Sequence, residues 1–157
     1  MNTDMVDRIK IRETIDRYCD AINRQDWYNF GSFWTDDAFW EAQAPINMEA
    51  RGLEQILKIT RAGRERTEFL VHMNHAIVID YLEGDVARSH HTLHIKAFGQ
   101  SGFGYSCIGI YDDELRRFGD GWQFSRRSYR PSWYDDSRPA GCLIEGTCDP
   151  VSMPRVA

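Results

Sequence analysis

The stretch that decides the fold is LVHMNHAIVIDYLEGDVARSHHTLHIKAF, residues 70–98. Two strand-like runs flank the turn sequence at 83–85, which contains a glycine, and this order predicts a long β-hairpin. A second hairpin is predicted over residues 105–129, with its turn at 118–121. Two hairpins in succession predict an antiparallel sheet in the second half of the chain.

The first half of the chain shows mainly helical patterns. Residues 5–24 predict an amphipathic helix, because their apolar side chains recur with the helical period. Asp26 is a natural N-cap for a short helix that Thr35–Asp37 ends. A strand at 38–42 and a helix at 53–64 follow. Helices followed by paired strands indicate an α+β domain in which N-terminal helices back a curved antiparallel sheet.

The chain has the length of one domain, at 157 residues. We place that domain at residues 1–135. Four of the five prolines lie from Pro131 onward, where no periodic pattern is visible. Residues 136–157 are therefore predicted to form a C-terminal arm that packs on the body or on a neighbouring subunit.

The composition is unusual in its aromatic residues, which make up 13% of the chain. This surplus predicts an aromatic pocket for a small-molecule substrate, or a subunit interface. The net charge of −5 argues against nucleic acid and against an acidic membrane surface as partners.

The N-terminal sequence MNTDMVDRIK has no apolar signal-peptide core, and no run approaches 18 apolar residues. A cytoplasmic location is therefore the expectation. The four cysteines are expected to be free thiols in that reducing compartment.

Three segments resemble a known group of proteins. IRETIDRYCDAINRQDWYNFGSFWTDDAFW (11–40), VHMNHAIVIDYLEGDVARSHHTLHI (71–95) and YDDELRRFGDGWQFSRRSYRPSW (111–133) are similar to the SnoaL-like branch of the NTF2-like superfamily. Within it they resemble the group of scytalone dehydratase, hexachlorocyclohexane dehydrochlorinase and bile-acid 7α-dehydratase. The resemblance covers roughly residues 6–135 and implies a cone-shaped α+β barrel.

The resemblance also implies a catalytic pair. In those enzymes an Asp near the end of the first helix pairs with a His on the first long strand, and the His moves a proton while a leaving group departs. The matching positions here are Asn23 and His72. Asn23 could orient the imidazole through a hydrogen bond but could not stabilise imidazolium by charge. Asp26 or Asp20 could substitute for the missing carboxylate.

Further site residues follow from the same resemblance. It implies that Tyr18 and Arg130 polarise a substrate oxygen. We expect substrate contacts from four residues on the predicted inner faces: Trp40, His91, Ile22 and Trp27.

Simpler roles exist for most of these residues. His72 could be a buried histidine bonded to backbone, and Tyr18 and Trp40 could belong to the core. Asp26 could serve only as a helix cap. Arg130 could lie at the surface, paired with an acidic residue.

Histidines at H-x-x-H and H-H-x-x-H spacing raise a metal alternative. On a strand, however, His90 and His94 share one face and His91 takes the other, so the set does not converge as a metal site requires. We expect no metal and no cofactor.

These observations together predict a cofactor-free lyase or isomerase that acts on a small hydroxylated aromatic or polycyclic compound. By resemblance we expect a homotrimer. One alternative is a non-catalytic subunit, because DDELRRFGDGWQFSRRS also resembles the small subunit of ring-hydroxylating dioxygenases. Another is a protein that only binds its ligand.

Overall fold

A six-stranded sheet with helices on one side makes up the fold in the computed structural model, which describes residues 3–99, 102–141 and 143–144. The order along the sheet is β2-β1-β6-β5-β4-β3. In the described ranges the elements are α1 (Thr3–Arg24), α2 (Trp27–Ser32), β1 (Trp34–Ala42), β2 (Met48–Arg51), α3 (Leu53–Glu65), β3 (Phe69–Glu83), β4 (Val86–Phe98), β5 (Gly104–Phe118) and β6 (Gly121–Asp135).

The predicted hairpins β3–β4 and β5–β6 and the α+β class are confirmed. The sheet is mixed rather than wholly antiparallel, because β1 runs parallel to β6. The short helix ends earlier than predicted. Trp34 pairs with Phe124 as the first residue of β1, and Thr35–Asp37 continue that strand instead of forming a turn. The strand Met48–Arg51, which pairs with β1, was not predicted.

Helix α1 lies across β3 and β6 and buries its apolar stripe. Ile11, Ile15, Tyr18 and Ile22 recur at the predicted spacing, and each is at most 3% exposed. No helix among the described residues is both long and apolar enough to cross a bilayer.

Strand β4 separates its two faces by strict alternation. Ala87, His91 and Leu93 are fully buried on the side that faces the helices, while the residues that alternate with this side are more exposed. This side of β4, together with the matching sides of β3, β5 and β6, forms the concave floor of the interior. Most of the predicted C-terminal arm, 136–157, lies outside the described residues.

Candidate functional site

A cavity of about 510 Å³ lies between the helices and the concave face of the sheet. Its walls are mainly apolar and aromatic, as is usual for pockets that bind small organic molecules. The polar and aromatic side chains that face it include His72, Trp40, Tyr18, Tyr105, Tyr111 and Tyr129.

His72 brings an imidazole to this cavity from β3. Its Nδ1 is buried and has no hydrogen-bond partner among the described residues. Burial lowers the pKa of His72 to about 3, and the positive charge of Arg127 contributes to this shift. The imidazole is therefore neutral near pH 7 and able to accept a proton.

Asn23 contacts the backbone of His72 rather than its ring. The His72 N–H donates to Asn23 Oδ1 at 2.7 Å, and Asn23 Nδ2 donates to the His72 carbonyl at 3.0 Å. Strand β3 is an edge of the sheet, so these two backbone groups have no neighbouring strand to pair with. The Asn23 amide supplies that missing partner. The expectation that Asn23 orients the imidazole directly was therefore wrong. Asn23 instead positions strand β3, which carries the imidazole.

The pairing predicts a cost for placing at position 23 the carboxylate that the family resemblance implies there. In Asn23→Asp the side chain could still accept from the His72 N–H, but it could not donate to the carbonyl, and a carboxylate oxygen would face that carbonyl. We expect the free energy of unfolding to fall by about 1–3 kcal/mol in urea denaturation.

A matched control for this change is Asn47→Asp. Asn47 is exposed, and its side chain makes one local hydrogen bond, to the Pro45 carbonyl. We expect a change within about 0.5 kcal/mol there. Equal stability of Asn23→Asp and the parent protein would show that the Asn23 bonds do not hold β3.

A buried ion pair lies behind the cavity wall. Arg127 and Asp113 are 0% and 2% exposed, and they form two hydrogen bonds, Nε to Oδ1 at 2.8 Å and Nη2 to Oδ2 at 3.1 Å. Burial raises the pKa of Asp113 to about 6 and Arg127 opposes the rise, so the carboxyl group is ionised near pH 7. The pair places a fixed positive charge in the interior.

His91 completes this buried cluster. Arg127 Nη2 lies 3.3 Å from His91 Nε2, and a guanidinium can only donate, so the imidazole proton belongs on Nδ1. Nδ1 is 3.5 Å from Asp113 Oδ2. Burial lowers the pKa of His91 to about 2, with Arg127 adding to the effect. His91 therefore faces the interior, as the alternation of side chains along the strand predicted. It contacts the ion pair, however, and is not among the side chains that line the cavity.

Two tyrosines lie between the ion pair and the cavity. The Arg127 guanidinium carbon is 4.1 Å from the ring centroids of both Tyr18 and Tyr111. Burial raises the pKa of each phenol, so both are protonated near pH 7 and can donate. Trp40 Nε1 donates to the Tyr111 hydroxyl at 2.9 Å and fixes it. The Tyr18 hydroxyl in turn donates to that of Tyr111. The result is a linked pair of neutral phenols with a positive charge behind them.

Arg130 does not reach the cavity, contrary to expectation. It is exposed, and its Nε donates to Asp112 at 2.8 Å on the outer face of the sheet. Arg127 is the arginine of this strand that faces inward. The pairing of β5 with β6 skips Ser125, so a bulge moves the inward positions from even to odd numbers after Phe124.

The sequence carried one signal of this bulge. The aromatic residues Trp122 and Phe124 have even numbers, whereas Tyr129 has an odd one, and all three are buried. Strict alternation cannot bury all three, so one residue between Phe124 and Tyr129 had to be inserted in the strand.

Of the other residues that were expected to act in the site, two line the cavity and two make contacts within the helical part of the chain. Ile22 and Trp40 line the cavity. Asp26 does not approach His72, because it caps α2 by accepting from the Asn29 N–H at 3.2 Å. Trp27 is not on the cavity wall either and packs against Phe30, with its ring centroid 6.0 Å away.

The outer face of β4 uses its histidines in separate contacts. His90 Nδ1 lies 2.7 Å from Asp80, and His94 Nε2 lies 3.1 Å from the Ser106 hydroxyl. Across the described ranges, no group of three or more histidine, cysteine or acidic side chains is placed to hold a metal ion.

Comparison of the chain with known proteins identifies one family. The family model of the SnoaL-like domain matches residues 3–128. No protein with a curated description matches the chain.

Solved structures share the fold at low identity. A candidate scytalone dehydratase from Novosphingobium aromaticivorans is 18% identical with a TM-score of 0.78, and 98% of each chain is covered. The hexachlorocyclohexane dehydrochlorinase LinA-type3 from Novosphingobium barchaimii is 15% identical with a TM-score of 0.79, covering 90% of this chain and 97% of that one. The Kfla4162 protein from Kribbella flavida is 20% identical with a TM-score of 0.77, covering 85% and 95%.

Proposed function

Because this chain belongs to the SnoaL-like domain family, we propose that it is a cofactor-free lyase or isomerase that moves a proton on a small hydroxylated aromatic or polycyclic compound. The observation that carries the proposal is the neutral imidazole of His72, which faces an aromatic cavity that also presents the Tyr18 and Tyr111 phenols. A general base and oxygen-directed donors on one cavity are the parts that proton abstraction next to a carbonyl requires.

In the proposed reaction His72 accepts the proton from the carbon next to a substrate carbonyl. Negative charge then develops on the carbonyl oxygen, where Tyr111 donates a hydrogen bond that the bond from Tyr18 strengthens. In a β-hydroxyketone the electron pair forms a carbon–carbon double bond as the carbon–oxygen bond of the hydroxyl breaks. The imidazolium returns its proton to the departing hydroxyl, which leaves as water. If no leaving group is present, return of the proton to a different carbon gives isomerisation.

The arrangement also offers a reason why no carboxylate among the described residues pairs with the His72 ring. A nearby carboxylate would stabilise imidazolium before reaction, whereas here the fixed charge of Arg127 lies behind the phenols and favours negative charge on the substrate oxygen. The imidazolium and the enolate form together, so each charge stabilises the other in the low-dielectric cavity.

The proposal is tested with 3-hydroxy-1-tetralone, a bicyclic β-hydroxyketone. Loss of water followed by tautomerisation gives 1-naphthol, which is followed by its fluorescence. We expect the protein to raise the rate of 1-naphthol formation above that of buffer alone. No acceleration of this reaction, together with no proton exchange in ketones of the same size, would contradict the proposal.

The pH dependence of this rate is a separate prediction. The base is active when neutral, and burial together with Arg127 lowers the pKa of His72 to about 3. We therefore expect a nearly constant rate between about pH 5 and pH 8, without the decrease below about pH 6.5 that an ordinary histidine base gives. Rates of 1-naphthol formation, with circular dichroism at each pH to verify folding, measure this. A decrease centred near the ordinary histidine pKa would contradict it.

A second candidate is a protein that binds the same ligands without transforming them. The observation in its favour is the pairing of Asn23 with backbone, which leaves the His72 imidazole without the charged partner found in related enzymes. Binding of a bicyclic phenol with no turnover and no proton exchange would support this candidate.

A further inference from the structure

The charged side chains on the described cavity wall all carry the same sign of charge. The chain has 24 acidic and 19 basic residues, yet the described residues that line the cavity include Arg64 and Arg66 and no aspartate or glutamate. The charged side chains on the described wall are therefore all positive in a protein that is negative overall. Apolar walls strengthen their field, because they exclude the water that would screen it.

The two arginines lie at the end of the cavity where β3 begins. They are at the C-terminal end of α3, and the next residues enter β3, where the Glu68 N–H donates to the Phe98 carbonyl at 2.9 Å. His72 pairs with Ile95, three residues along β4 from Phe98. Three residues of strand span about 10 Å. A bicyclic molecule with a group at its far end covers that distance.

Arg64 is held in position by the turn that follows α3. It is 7% exposed, and its Nη1 donates to the Thr67 carbonyl at 3.0 Å and lies 3.1 Å from the Thr67 hydroxyl. These bonds help to fix the orientation of the guanidinium. Arg64 thus contributes a buried positive charge at a defined place on the cavity wall.

Arg66 is the exposed member of the pair. Its guanidinium carbon lies 5.6 Å from the ring centroid of Phe103, which also lines the cavity, and it forms no ion pair with any described residue. The neighbouring Glu65 and Glu68 are exposed and are not on the wall. Arg66 therefore marks an opening of the cavity to solvent.

We propose that the substrate carries a carboxylate, which Arg66 binds at this end, beside the buried charge of Arg64, while the hydroxylated ring portion reaches His72. The inference rests on the proposed function only in that the same cavity receives the substrate. Guanidinium groups bind carboxylates through paired, charge-assisted hydrogen bonds, and no acidic side chain on the described wall opposes the anion. The two arginines thereby select anionic over neutral ring compounds and fix the direction in which the substrate enters.

The test compares two probes that differ in one carboxylate, 6-hydroxy-2-naphthoate and 2-naphthol, by isothermal titration calorimetry. We expect the naphthoate to bind about tenfold more tightly than the naphthol. Arg66→Gln removes this preference and leaves the affinity for 2-naphthol unchanged. High salt weakens binding of the naphthoate selectively.

The matched control is Arg61→Gln. Arg61 is an exposed arginine of the same helix, but its guanidinium lies over Trp27, 5.7 Å from the ring, and it does not line the cavity. This variant removes the same charge and should keep the preference. Equal affinity for the two probes, no measurable binding of the naphthoate, or equal loss in both variants would overturn the inference.

These outcomes are independent of catalysis. A protein that binds the naphthoate through Arg66 but neither forms 1-naphthol from 3-hydroxy-1-tetralone nor exchanges protons in ketones of the same size would sustain this inference and refute the proposed function. Turnover of 3-hydroxy-1-tetralone with no preference for the naphthoate over 2-naphthol would support the proposed function and refute this inference.

Discussion

Asp113→Asn is expected to lower the free energy of unfolding by about 3–5 kcal/mol, because it leaves the Arg127 guanidinium charged and uncompensated in the interior. Arg127 is fully buried and forms two hydrogen bonds with Asp113. Three aromatic rings lie within 4.1 Å of the guanidinium carbon and attract the cation, but they do not replace a carboxylate. Urea denaturation near pH 7, where Asp113 is ionised, measures the difference.

The neighbouring residue provides the control. Asp112 pairs with Arg130 at 2.8 Å, but the two side chains are 49% and 50% exposed. Asp112→Asn makes the same chemical change one position earlier in the strand and should cost less than about 1 kcal/mol. Similar losses for the two variants would mean that the inward position of Arg127 is wrong, and with it the assignment of the charge behind the phenols.

His72→Gln is expected to lower the rate of 1-naphthol formation by about 10²–10⁴-fold, because it removes the general base. The fold should survive this change. Asn23 bonds the His72 backbone N–H and carbonyl, which the variant keeps, and glutamine has a similar size and polarity.

His75→Gln is the matched control, since His75 lies three residues further along the same strand and is exposed. It should keep the rate of the parent protein. Binding of 6-hydroxy-2-naphthoate to the His72→Gln variant verifies that its cavity remains intact. A His72→Gln variant with unchanged turnover would remove His72 from the mechanism and leave the aromatic cavity without its proposed base.

The fold was largely predictable because most of its elements carry a local periodic signal. The stripe of α1 and the hairpin over residues 70–98 depend only on residues near one another in the chain. The strand Met48–Arg51 was missed because four residues are too few to show alternation. The parallel pairing of β1 with β6 was missed because it joins segments about 90 residues apart, such as Trp34 and Phe124.

The site was less predictable because its key contacts depend on tertiary structure. Asn23 and His72 were placed together by family resemblance alone, and nothing in the sequence shows that the amide pairs with backbone at a sheet edge. The choice of Arg127 over Arg130 depends on a one-residue bulge, which reverses the inward positions. The positive end of the cavity at Arg64 and Arg66 also depends on how α3 meets β3.

The homotrimer, the cytoplasmic location, the packing of the C-terminal arm and the absence of a cofactor stay predictions. The aromatic surplus, by contrast, is partly accounted for by the cavity, whose walls include five tyrosines, one tryptophan and one phenylalanine among the described residues.

The most direct test of the central claim, that His72 removes a proton from substrate carbon, is exchange of hydrogen for deuterium in 1-tetralone. This ketone has no leaving group, so incorporation of deuterium at the carbon next to the carbonyl, followed by NMR in D₂O, measures proton abstraction alone. We expect the protein to accelerate this exchange and His72→Gln to return the rate to that of buffer. Equal exchange with the parent protein and with His72→Gln, or no acceleration by either, would contradict it.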